Sequence, residues 1–183
     1  MRWMLRSVAI AVACLFMAGG PAFAQSAPES VPQAVRDAIA DPSAPGAAAI
    51  IADALTGVNR DAVAAAMVTA LAGPNGAALA AALMTTNNAA AITIVVIAAS
   101  VTPGSAGVVT ILGTALGNSG NAALVTSVVA NVQAAAPGAV ATFTTATIAT
   151  GTSGIQGAVT AGQNAAPPPV IVVFNPNQTG SAI

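Results

Sequence analysis

Proline-centred breaks recur through the middle of this chain and limit what it can fold into. They fall at Pro45-Gly46, Pro74-Asn75-Gly76, Pro103-Gly104 and Pro137-Gly138, and the prolines stand 29, 29 and 34 residues apart. A weaker break follows each by 12 to 14 residues, at Gly57, at Asn87-Asn88, in Gly117-Asn118-Ser119-Gly120 and at Gly151. Segments of that length between breakers suit short helices paired as helix–turn–helix hairpins, the spacing of stacked helical repeats. The expected fold is therefore all-α: stacked short helical hairpins, α-solenoid-like or an irregular bundle, over residues 45–164.

The apolar spacing within each segment fits this reading. Ile50, Ile51, Ala54 and Leu55 form one stripe closed by Gly57, a helix-ending residue. Asn59 is placed to cap the next helix, with Asp61 in its first turn and Val63, Met67 and Leu71 one turn apart. The second hairpin carries Leu79, Leu83 and Met84, then a segment from Ala89 to Val101 headed by Asn87 or Asn88. That segment is apolar on every side, so it belongs inside a domain or in a bilayer. Its β-branched run suits a buried strand as well. It is shorter than the ~20 residues that span a membrane, and a central buried helix is expected. In the third hairpin Ser105 heads a helix with Val108, Ile111, Leu112, Ala115 and Leu116, ended by Gly117. A second helix runs from Asn121 through Leu124, Val125, Val128, Val129 and Val132 until Pro137 stops it. Residues 139–161 hold Val140, Phe143 and Ile148 among threonines and read equally as strand or helix; in a stack they form the atypical capping unit.

The two ends read differently. Arg2 and Arg6 precede an apolar Ser7–Ala18 run, and Ala22-Phe23-Ala24 has the small-x-small form of a signal-peptidase site. Residues 1–24 are expected to be a cleaved export signal, placing the protein in the periplasm or at the cell surface. Ala11-Val12-Ala13 ahead of Cys14 resembles a lipoprotein box only loosely. Residues 25–44 read as an arm or short helix, with Pro32 at the first turn and Val35 and Ile39 one turn apart. Residues 165–183 read as a stiff Pro167-Pro168-Pro169 spacer and an extended tail. Within the tail Val170, Ile171, Val172, Val173 and Phe174 form a run of strand formers, a candidate interaction segment. It suits addition to a partner's sheet edge or docking on the protein's own helices, because left exposed it is an aggregation hazard.

Charge excludes several functions. Beyond the signal only Glu29, Arg36, Asp37, Asp41, Asp53, Arg60 and Asp61 are charged, and from Ala62 to Ile183 there is no Asp, Glu, Lys, Arg or His. Two arginines against five acids give little purchase on phosphates, so nucleic acid is not an expected partner. There is no His, and the one Cys lies in the signal, which removes the commonest general base, the thiol nucleophile and most transition-metal ligand sets. Asp53 and Asp61 fall on adjacent expected helices with Arg60 nearby, and such a carboxylate pair could serve acid–base hydrolysis, but a solvated cap with a surface ion pair explains them more simply. No catalytic, cofactor-binding or metal-ligating residue is assigned, and Asn177-Gln178-Thr179 is a short sequon match of the kind chance supplies. The expectation is a non-enzymatic exported protein whose partner is itself or another envelope protein, because a neutral Ala/Thr exterior repels copies of itself poorly. The alternative is membrane contact through an inserted 89–116 hairpin. Conversion of Ala89–Phe143 to cross-β fibres is a further possibility that the β-branched content raises.

Overall fold

In a computed structural model of the protein, residues 31–165 are described, and among them there are nine α-helices and no strand. They are α1 (Gln33–Ala40), α2 (Ala47–Thr56), α3 (Arg60–Leu71), α4 (Gly76–Thr85), α5 (Ala89–Val101), α6 (Ala106–Asn118), α7 (Ala122–Ala135), α8 (Val140–Thr150) and α9 (Ser153–Asn164), with a 3-10 turn at Pro137–Ala139 before α8. The expected all-α fold is thus what the chain adopts.

All four prolines do the same job. Each is the second residue of a hydrogen-bonded β-turn: Ala47 N–H to Ala44 O at 3.0 Å, Gly76 N–H to Gly73 O at 3.1 Å, Ser105 N–H to Thr102 O at 3.2 Å, and Ala139 N–H to Ala136 O at 2.9 Å. Proline presets the φ that this position requires. In the first and third turns the next residue is left-handed, Gly46 at φ 82° and Gly104 at φ 81°, which makes a type II turn that a side chain would strain. The weaker breaks supply caps. Asn88 Oδ1 accepts from Ala91 N–H and Asn121 Oδ1 from Leu124 N–H, each at 3.1 Å, satisfying helix-end donors that would otherwise be orphaned. Asn59 and Ser105 occupy the expected cap positions of α3 and α6, but neither side chain bonds the helix.

Helices pack chiefly on the helix two ahead. In one layer α2 lies on α4, α4 on α6 and α6 on α8; in the other α3 lies on α5, α5 on α7 and α7 on α9. Helix α1 covers α2 and α3 at the start, with Val35 and Ala38 buried. Helix α5 sits in the middle, touching α2, α3, α6 and α7. Ile92, Val95, Val96 and Ile97 are all buried there, each contributing roughly 1.5–3 kcal/mol relative to exposure. Burial on every side is what lets a β-branched run hold a helix, because packing overrides local preference. Thr93, fully buried among them, donates its hydroxyl to Ala89 O at 2.7 Å.

Gly117, expected to end a helix, lies inside one instead, and Gly162 is likewise internal. Gly117 is buried within α6, and Gly162 within α9. A Cβ on Gly113 would meet Phe143 O at 2.5 Å and Ala146 Cβ at 2.9 Å, and one on Gly117 would meet Thr150 Oγ1 at 2.5 Å and the Thr147 carbonyl. On α9, a Cβ on Gly162 would meet Thr126 O at 2.7 Å. These residues let backbones approach, and α6 on α8 and α7 on α9 are the most extensive pairings among the described helices. Hydroxyls bridge the same contacts, Thr126 Oγ1 to Ala158 O at 3.2 Å and Thr150 Oγ1 to Thr114 O at 3.4 Å. Ile50 also departs from expectation: it lies at the edge of its stripe, 41% exposed.

Candidate functional site

The charged residues gather at one end of the stack, on α1–α3 and the loops between them. Arg60 Nε lies 3.3 Å from Asp61 Oδ1, and both side chains are about half-exposed; a solvent-accessible pair of this kind adds little stability. Asp53 is exposed on α2. Asp41 Oδ1 accepts from Ser43 Oγ at 2.5 Å and from Ser43 N–H at 3.1 Å, and those bonds hold its carboxyl below the ordinary value of 3.8. Among the described residues no three metal-ligating acids, histidines or cysteines converge.

From Ala62 onward nothing in the described stack titrates, which fixes the pH behaviour. Stability varies with pH only where folding changes proton binding. Asp41 has a depressed folded value, so its contribution is complete above its ordinary value and fades as pH falls through the folded one. Melting followed by circular dichroism should therefore give a flat midpoint from about pH 8 to about pH 5, with only a slight fall in stronger acid.

The uncharged part of the stack carries a cleft of about 450 Å³ between α4 and α6. Its floor is apolar, with Ala77, Ala81 and Met84 from α4 and Ile111 and Ala115 from α6; Thr85, Thr110 and Thr114 line its walls. Asn87, Asn118, Ser119 and Asn121 close one end. Asn87 is the one non-glycine residue among those described with positive φ, 52°, a conformation asparagine tolerates better than most residues. Its Oδ1 accepts from Asn121 Nδ2 at 2.8 Å, a bond joining turns 34 residues apart. Asn121 is fixed in turn, because its Oδ1 caps α7. Asn87, which lines the cleft, thus keeps its Nδ2 hydrogens uncommitted within the described residues. A second cleft of about 450 Å³ follows the interhairpin turns at Thr102–Ser105 and Gly138 and is lined by small residues.

Sequence reasoning treated these asparagines only as caps and turn residues. The signal that marks the site is their recurrence: Asn88 and Asn121 head equivalent helices, and tandem Asn87 adds a second carboxamide beside the first. Val170–Phe174, the export signal and the sequon lie outside the described residues. No protein-family model matches the chain, and no curated protein or solved structure matches it either.

Proposed function

We propose that this is a non-enzymatic exported protein with a structural or interaction role at the bacterial envelope or cell surface, acting through self-association. The observation that carries the reading is the asymmetry of the exterior. Charge is confined to the α1–α3 end, and every outward residue from Ala62 to Ala165 is alanine, glycine, proline, valine, isoleucine, threonine, serine, asparagine or glutamine. Like-charge repulsion is the usual defence against association, and most of this stack lacks it. Most apolar side chains of α5, Ile92, Val95, Val96 and Ile97 among them, are buried against neighbouring helices, and no helix among the described residues is long and apolar enough to cross a membrane. What remains outside is an uncharged skin suited to contact with an uncharged surface, of which another copy is the nearest example.

Sedimentation velocity on the purified protein tests this. Mass should rise with concentration, and 0.5 M sodium chloride should change the association little, because screening acts on charges. A strictly monomeric species at high concentration would remove the basis of the proposal.

A further inference from the structure

We infer that the cleft between α4 and α6 is the receptor for the Val170–Phe174 segment of a second copy of this chain. The inference rests on the self-association reading and names its contact.

Four observations lead there. First, the cleft has an apolar floor, Met84, Ile111 and Ala115, and no charged residue lines it. Residues 166–183 likewise contain no charged side chain and hold five consecutive aliphatic or aromatic residues. Neither surface offers a charge that the other would leave uncompensated in a desolvated contact. Second, the size agrees. The stretch of α6 from Thr110 to Asn118 rises about 12 Å, which an extended segment of about four residues matches.

Third, the polar groups suit a peptide backbone. An extended segment carries carbonyls along its edges and alternate side chains on one face. Asn87, its carboxamide oriented by the bond from Asn121, has Nδ2 hydrogens to offer a carbonyl of the segment, and Asn118 lines the same cleft with a second carboxamide. Alternate side chains of the segment then lie over Met84, Ile111 and Ala115. Pairing with a sheet edge is not on offer within the described residues, which contain no strand.

Fourth, the position of the tail favours a second molecule. The described chain ends just beyond α9, which stacks on α7, whereas the cleft belongs to the opposite layer, between α4 and α6. Pro167–Pro169 intervenes, and a polyproline spacer is stiff, rising ~3.1 Å per residue. A spacer of that composition disfavours folding the pentad straight back onto the helix that precedes it. One cleft and one segment per chain make a head-to-tail contact, which either closes into a ring or runs on as a filament.

Three variants separate the parts. Val172→Asp puts a charge in the segment. Ala81→Trp fills the cleft from an exposed position on α4, and Thr110→Trp fills it from the exposed face of α6, so a folding defect in one is checked by the other. Each single variant should weaken association in sedimentation by at least about tenfold, the scale of losing one hot-spot contact. An equimolar mixture of Val172→Asp and Ala81→Trp should restore a dimer, because one supplies the segment and the other the cleft. If all variants associate like the parent protein, this assignment is overturned while self-association stands. If the parent is monomeric, the functional proposal falls. Binding of a labelled peptide of residues 166–177 to Val172→Asp but not to Ala81→Trp would then place the pairing within one chain, overturning the second-copy assignment.

Discussion

Gly117→Ala should destabilise the protein even though alanine is the better helix former. The propensity gain in a helix interior is about 1 kcal/mol. Against it stands a methyl placed 2.5 Å from Thr150 Oγ1 and nearer still to the Thr147 carbonyl. A carbonyl on a neighbouring helix cannot rotate aside as a flexible side chain can, so α6 and α8 must separate. Overpacking a close contact costs typically 1–3 kcal/mol, and backbone against backbone belongs at the upper end. The expected net loss is about 2 kcal/mol, read as a melting midpoint lower by roughly 5–10 °C for a domain of this size. Gly113→Ala meets Phe143 O and Ala146 Cβ on the same partner helix and should behave alike, with a less than additive double variant because both push on α8. Gly157 supplies the opposite sign. It is exposed within α9, and an added Cβ meets nothing within 4 Å, so Gly157→Ala should raise stability by roughly 0.5–1 kcal/mol. A raised midpoint for Gly117→Ala would refute the close-approach account of the α6–α8 pair.

Phe143→Ala should have the larger effect. Phe143 is the one aromatic residue among those described and is fully buried. It sits on α8 at the glycine contact, where its own carbonyl accepts Thr147 Oγ1 at 2.9 Å. The rest of the described core is aliphatic and rich in alanine and valine, short side chains that do not extend to refill a space of that size. Removing a buried phenylalanine costs about 3–5 kcal/mol, against a total of roughly 5–15 kcal/mol for a domain. Urea titration should show the midpoint falling with an unchanged slope. Phe143→Leu, which keeps most of the volume, should lose under about 1.5 kcal/mol. A loss below about 1 kcal/mol for the alanine variant would mean that the α6–α8 contact is not a centre of stability.

Much of this architecture is legible in the residues because local chemistry and tertiary demand coincide at the prolines. Proline at the second turn position and asparagine at a helix start act through backbone geometry and adjacent donors, which spacing alone reveals. What spacing does not reveal is which glycines meet another helix. Gly57 and Gly151 flank helices, while Gly113, Gly117 and Gly162 face neighbours, and nothing within a few residues of each distinguishes the two uses. The threonine-rich 139–161 segment is helical for a related reason. Thr144 and Thr147 are buried with their hydroxyls turned back to Val140 O and Phe143 O, an arrangement settled by the α6 surface rather than by their own preference. The α4–α6 cleft was invisible because it is assembled across hairpins. Its organising bond, between Asn87 and Asn121, joins residues that each look locally employed.

The threonines on the outer faces have a consequence of their own. Thr69, Thr110 and Thr160 each direct the hydroxyl hydrogen at a carbonyl four residues back, on Ala65, Ala106 and Gln156, and Ser127 does the same at Ala123. What these four residues show to water is methyl or methylene and lone pairs, so at these positions the surface takes hydrogens and does not give them. Two such patches laid together have no hydrogen to exchange and touch as hydrocarbons. An orderly lattice of these molecules must take its orientation from the places that still give a hydrogen away, and the carboxamide of Asn87 is one of them.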